Sequence, residues 1–318
     1  MQLIFFTHTI GFPTDKIILP MLYWRSNEGE SAMSLLSQQS RTKLHEAYPS
    51  IYGNLYDESR MDERYSKLID GYTRTYGPIS GDIAIFSTSG RTELVGNHTD
   101  HNMGRVIAAS INLDTIAAVQ PSGDSLVTLV SEGFPAVTVD LNDLEKKNHE
   151  KETATSLVRG IARAFASEGI QLKGWKAYTS TTVLKGSGLS SSAAIEVLCA
   201  TIFNHYCNND AWDMIKLAQT GKYAENVYFE KPSGLMDQAA CAYGGIIGID
   251  FAHPEKPAIT PVTFDFYKAG YVLAIVDTGG NHADLTADYA SIPPEMISVA
   301  QKFGKKFMSG VSEQEFYA

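Results

Sequence analysis

The sequence predicts two domains built of both helices and strands, on three observations. The chain has 318 residues, against a prior of about 150 residues per domain. Apolar residues make up 44% and charged residues 19%, which is enough for buried cores and too apolar for a disordered chain. Stretches with the two-residue period of strands alternate with stretches of helical period, and one strand runs straight into a glycine- and serine-rich turn before a helix.

Residues 1–33 share no pattern with the rest of the chain and are expected to form a weakly structured extension, with Met33 as an alternative start. Residues 34–77 are polar and helical in pattern, with Leu35, Leu36, Leu44, Tyr65, Leu68 and Ile69 as the apolar stripe. At 82–87 the period shortens to that of a strand carrying Ile83, Ala84, Ile85 and Phe86, and Ser87-Thr-Ser-Gly90 reads as the turn that ends it. Two β-rich runs come next, 106–119 and 126–130, separated by Pro121-Ser-Gly-Asp124. An amphipathic helix is expected at 153–168, with Leu157, Val158, Ile161, Ala164 and Phe165 on one face and Gly169 as its stop. Residues 178–184 are β-branched and strand-like. Helices are expected over 193–206 and over 210–229, then a short one opened by Pro232-Ser-Gly234 and closed by Gly244-Gly245. Strands at 245–251 and 271–277 complete the pattern.

Lys and Arg total 26 against 36 Asp and Glu, a net charge of −10. An acidic chain without a basic run repels phosphate backbones, so no nucleic acid partner is expected, while a phosphate ligand needs only a local site. Cys199, Cys207 and Cys241 are odd in number and form no C-x-x-C pair, which indicates neither a disulfide framework nor a zinc knuckle. The opening residues lack a basic start, a continuous apolar run and a cleavage motif. No window reaches the ~18 apolar residues of a membrane span. A soluble cytoplasmic protein, away from membranes, is expected.

Three segments carry residues suited to chemistry. In Lys185-Gly-Ser-Gly-Leu-Ser-Ser-Ser-Ala-Ala194, Gly186 and Gly188 let the backbone approach a ligand, and Ser190, Ser191 and Ser192 add hydroxyls. The helix after it aims free N–H groups at the same place, which makes an anion site. A well-capped helix after a flexible turn is the plainer reading of this segment alone. Ser191 stands where G-x-G-x-x-G needs its third glycine, and no P-loop motif occurs. The second segment, Gly90-Arg-Thr-Glu-Leu-Val-Gly-Asn-His-Thr-Asp-His-Asn102, suits a polyhydroxylated ligand, because Asp and His side chains each hold a hydroxyl. His98, Asp100 and His101 as metal ligands, or an ordinary polar loop, are its alternatives. The third runs from Ala224 to Gln238 and places Glu225 late in one helix and Asp237 in the first turn of the next. These carboxylates suit a magnesium ligand and a proton acceptor. Taken singly, a dipole-answering acid and a solvated helix face are the plainer readings.

In order and in residue type, these segments and a fourth, Asn281-His-Ala-Asp-Leu-Thr-Ala-Asp-Tyr289, resemble the galactokinases of the GHMP family of small-molecule kinases. The resemblance runs from about residue 68 to about residue 300. It implies an α+β fold, the GHMP kinase fold: a mixed-sheet N-terminal domain like domain 2 of ribosomal protein S5 over 34–240, and the beginning of a ferredoxin-like α/β C-terminal domain over 241–318. It implies ATP and Mg2+ as co-substrate and metal, and transfer of the γ-phosphate to the C1 hydroxyl of galactose. Kinases for another hexose, such as N-acetylgalactosamine, and a non-catalytic sugar sensor on the same fold are the alternatives.

Carried over by position, the resemblance makes Asp237 the acceptor of the hydroxyl proton and Arg91 the group that steadies the transferring phosphate. Asn97, His98, Asp100, Gly234 and Tyr289 would contact the sugar. Gly186, Ser187, Gly188, Leu189, Ser190, Ser191 and Ser192 would cradle the phosphates, with Ser192 and Glu225 holding magnesium. A helix start and Arg91 would both lower the Asp237 pKa, so that it orients the hydroxyl more than it deprotonates it. Asn97 and His101 depart from the commonest signature, which has Glu and Tyr there, and Leu184 and Ser233 replace a proline and a cysteine. Nothing after Asn281 resembles the family's third glycine-rich motif, so a truncated C-terminal domain with weak or no turnover is expected, as is a monomer.

Overall fold

A computed structural model of the chain describes residues 2–4, 18–22, 38–53, 56–184, 186–276 and 286–318, and side chains over 41–53, 56–184, 186–276 and 291–318. Its centre is a pair of long antiparallel strands, β3 (Ile83–Val95) and β4 (Arg105–Pro121). Period-two alternation decides what each face of them meets. Ile83 and Ile85 point with Ile116 and Ala118 to one side, where helices α1 (Gln38–Tyr52) and α2 (Glu58–Tyr76) bury Leu44, Tyr65, Leu68 and Ile69. Ala84 and Phe86 point with Ala117 and Val119 to the other, beneath α3 (Ala154–Ser167) and α4 (Ser191–Asn208).

Asp57 caps α2 by accepting from the Arg60 N–H, and Thr153 caps α3 by accepting from Ser156. The stripe expected on α3 is the buried one, with Leu157, Val158, Ile161 and Phe165 all in the core.

β5 (Leu126–Ser131), β6 (Val137–Asp140), β7 (Trp175–Thr181), β8 (Ile246–Asp250) and β9 (Ala258–Val262) complete the sheet with β2 (Ile18–Leu22). β6 and β9 have no counterpart in the sequence reading. Both are short edge pieces whose partners, β5 and β8, supply their order. The sheet order is β2-β3-β4-β7-β5-β6, and among the described residues only the β5–β7 pairing is parallel. β1 (Gln2–Ile4) pairs with β10 (Leu273–Ile275). Thus strands occur within 1–33, and the main sheet runs past residue 240 to Val262. The chain closes with α7 (Thr286–Lys302) and α8 (Glu313–Tyr317).

Two features of the sheet build the site. The expected turn at 87–90 does not form: β3 continues to Val95 because β4 pairs with it on both sides of Gly90. The register shifts between Ser89 and Arg91, and the alternation changes phase there. Such an irregularity re-aims side chains. Beyond it, Arg91 and Glu93 lie on the face that carries Ala108, which packs against Leu235 and Met236. The second feature is a fork. β4 pairs with β8 through Arg105–Ala109 and with β7 through Thr115–Pro121, so residues 110–114 front the gap where those strands diverge. The glycine-rich segment fills that gap, with Val183 and Leu189 buried against Ile111 and Leu113.

Candidate active site

The serine segment lies between the end of β7 and the start of α4. Gly186 and Gly188 both have φ of +73°, the left-handed region that glycine enters without strain. Ser190 shares it at +59°, so its hydroxyl leaves the helix cap and donates to Asp237 Oδ2. The start of α4 therefore keeps its first N–H groups for a ligand, an arrangement that suits phosphate oxygens. Gly90 admits the segment at close range: a Cβ there would stand 2.8 Å from the Leu189 carbonyl oxygen.

Arg91 holds this segment to the third one. Its backbone N–H donates to Leu189 O at 3.1 Å and its Nη1 to Gly188 O. Its Nε and Nη2 grip Asp237 at 2.9 and 2.6 Å, a bidentate pair. Asp237 sits in the first turn of α6 (Met236–Tyr243) and keeps 35% of its side-chain surface exposed. Burial would push its carboxyl up, but the Arg91 charge and the hydrogen bonds from Ser190 and Arg91 outweigh burial and hold it below the ordinary value. It is an ionised, weakly basic acceptor.

The sugar-type loop folds as a short 3-10 turn, Thr99–Asn102, between β3 and β4. His98 enters it at φ +61° and stacks on His101, with ring centres 6.0 Å apart. Asp100 accepts from the His101 N–H at 2.9 Å and leans over Gly234, where an added Cβ would meet Asp100 Oδ2 at 1.8 Å. The Gly234 segment is pinned by Asn226, whose Oδ1 accepts from the Ser233 N–H at 2.7 Å. Asn97 is exposed. The side chain of Tyr289 and the segment 281–285 lie outside the described residues. Among the described residues no three His, Cys, Asp or Glu side chains gather as a metal cluster, which leaves the His98–Asp100–His101 alternative without support.

Glu225 is not on a solvated face. It is 3% exposed, on a π turn (Ala224–Phe229) that extends α5 (Met214–Tyr223). Its Oε1 meets Lys231 Nζ at 3.0 Å and its Oε2 accepts from Gln238 Nε2 at 2.9 Å. The same amide nitrogen donates to Glu196 Oε2 at 2.9 Å. Glu196 is fully buried, its Oε1 has no partner among the described residues, and burial first, then the Glu225 charge, push its carboxyl up. Hard oxygen donors, a buried carboxylate already answered by an ammonium, and an orphaned acid oxygen make a set that fits magnesium shared with phosphate oxygens.

Sequence reasoning missed Glu196, Gln238, Lys231, Asn226 and Glu93. Glu196 lies four residues after Ser192, one helical turn along, and that spacing was the available signal. Glu93 comes two residues after Arg91, at strand spacing on the same face; burial raises its pKa, and Arg91, Asp100, His98 and Asp237 all act on it. Lys231 and Asn226 bond to Glu225 and Ser233, six and seven residues away, while Gln238 meets Glu196 only through tertiary packing.

Known proteins match along these same segments. Residues 71–121 match the galactokinase galactose-binding signature, and residues 156–245 match the N-terminal domain of the GHMP kinases. Galactokinase from Streptomyces coelicolor is 31% identical over 210 residues, covering 64% of this chain and 53% of the relative. Galactokinase from Clostridium tetani is 31% identical over 186 residues, covering 58% and 46%. The chain thus spans about half the length of the curated relatives it matches. A crystal structure of Lactococcus lactis galactokinase complexed with galactose superposes with a TM-score of 0.57 at 30% identity, covering 63% of this chain and 52% of that one. A Listeria innocua protein shares the fold at a TM-score of 0.53 and 16% identity. The fold, the order of the segments and these likenesses make the chain similar to the GHMP kinases, and among them to the galactokinases.

Proposed function

We propose that this chain is the phosphate- and sugar-holding part of an ATP-dependent galactokinase. The observation that carries the reading is the node at Arg91. One guanidinium joins the phosphate-type loop, through Gly188 and Leu189, to the acceptor Asp237, while the Asp100–Gly234 contact brings the sugar-type loop to the residues just before α6.

In this reading the C1 oxygen of galactose bonds to the γ-phosphorus of ATP as the bond to the β–γ bridging oxygen breaks. The hydroxyl proton passes to Asp237, and ADP leaves. Asp237 is held ionised by Arg91, so it aligns the hydroxyl and takes the proton late. In this reading Arg91 and the start of α4 are the donors that meet the charge accumulating on the phosphate, and such preorganised donors serve a loose transition state. His98, Asp100, Asn97, Gly234 and Tyr289 hold the sugar. Ser192 and Glu225 would hold magnesium, which when bound neutralises phosphate charge. Asn97 keeps an acceptor oxygen but no charge, which favours tolerance toward a related hexose such as N-acetylgalactosamine.

The test is ADP release with galactose and with a hexose panel, by the purified chain and, for the variants, by a version of full galactokinase length. Asp237→Asn and Arg91→Ala are each expected to lower turnover at least about a hundredfold, with the circular dichroism spectrum unchanged. Near-normal turnover in either variant overturns the mechanism. Because Asp237 titrates below the ordinary carboxylate range, it stays ionised as pH falls, and its protonation should not limit the rate between about pH 8 and pH 5. In a version of full galactokinase length, binding of galactose without turnover would mark a sensor instead.

A further inference from the structure

The fork in β4 holds a buried charge pair that neither the phosphate nor the sugar reading uses. Asp114 is 1% exposed. Its carboxylate accepts from Ser87 Oγ at 2.6 Å, from the Tyr52 hydroxyl at 2.9 Å, and from Arg64 Nη1. Arg64 comes from α2, and its Nη2 also donates to the Asp114 carbonyl at 3.1 Å. Its Nε is buried without a partner among the described residues. A buried pair of this kind is weak as a stabiliser, because apolar residues of similar volume often do as well or better. Its use is to specify a position.

That position is the start of the glycine-rich segment. The Asp114 N–H donates to Thr182 Oγ1 at 3.0 Å, and the Thr182 N–H donates back to Asp114 O at 2.9 Å. Thr182 is the first residue after β7, and Val183, next in the chain, donates to Thr181 Oγ1 at 3.1 Å and is buried with Leu189. The far end of the segment is held by Arg91. The segment is thus tied at both ends.

We propose that Arg64 and Asp114 are positioning residues for the nucleotide. By fixing the Asp114 peptide from both sides, they fix Thr182 and so the place from which the segment presents its N–H groups. The inference rests on the kinase reading and deepens it, assigning the helical hairpin on the opposite face of the sheet a part in nucleotide affinity.

The experiment measures the affinity of the 318-residue chain for a non-hydrolysable ATP analogue with magnesium, and separately for galactose, by calorimetry. Thr182→Val removes the hydroxyl and leaves the Arg64–Asp114 pair in place. Asp114→Asn removes the charge. Each is expected to weaken the analogue about tenfold, the scale of one or two buried hydrogen bonds, and to leave galactose within about twofold. Arg64→Lys keeps the charge but loses the second bond, and is expected to fall between. A lower melting temperature with unchanged analogue affinity overturns the inference, as does equal weakening of both ligands. Should Asp114→Asn not fold, Thr182→Val decides. If the unaltered chain binds no analogue, the kinase reading fails and takes the inference with it; if it binds and both variants bind equally well, the inference alone fails.

Discussion

At Gly234 one hydrogen atom decides whether two loops can share a space. The Asp100 carboxylate occupies the volume a methyl group would need, 1.8 Å from the position of a Cβ. Gly234→Ala therefore has to displace Asp100, a sugar-holding candidate, while leaving the Arg91–Asp237 grip untouched. Galactose affinity is expected to fall at least about tenfold, with affinity for the ATP analogue unchanged; calorimetry with both ligands checks this, and equal galactose affinity would refute it. Individual residues are also where the sequence was least self-sufficient. Arg91 and Asp237 lie 146 positions apart and were matched through the order of known motifs, because no local pattern joins them. Glu196, Gln238 and Glu225 meet only when α4, α6 and the π turn pack together. A charged residue on a helical pattern is ordinarily solvated, so the burial of these acids was not to be read from their neighbours in sequence.

Elements were more legible, for a physical reason that also marks the exceptions. α3 and α2 carry apolar residues at helical spacing, and a stripe that must be buried is visible without knowing what buries it. β3 misled at Ser87-Thr-Ser-Gly90, where the composition is that of a turn but the pairing with β4 supplies the hydrogen bonds of a strand. β6 and β9 owe their order to a neighbour in the same way. The α1–α2 hairpin offers a test at this scale. Leu68 is fully buried with Tyr65, Ile69, Ile83 and Ile116. Leu68→Ala is expected to cost about 2–5 kcal/mol of unfolding free energy, read from the urea midpoint; a change below about 1 kcal/mol would mean that the hairpin does not share the core.

For the molecule as a whole, β4 is the shared member. It pairs with β3 on one edge and with both β7 and β8 on the other, and its residues enter every one of the four apolar clusters. Opening it requires opening everything, so amides within Arg105–Pro121 are expected to exchange with solvent most slowly, and those of β6 and β9 far faster. Hydrogen exchange measured by mass spectrometry checks the order, and comparable rates in β4 and β9 would contradict it. The change of phase at Gly90 has a consequence for how this protein can vary. Upstream of it the even-numbered residues of β3 look toward α3 and α4; downstream the odd-numbered ones look toward α6, and Arg91 is the first of these. The pairing of Arg91 with Asp237 thus depends on a count. Gaining or losing one residue on either strand at this shift would disturb the register that sets Arg91 opposite Asp237. At this place neither the length of the strand nor the bare Gly90 can change without moving the segment that carries Leu189.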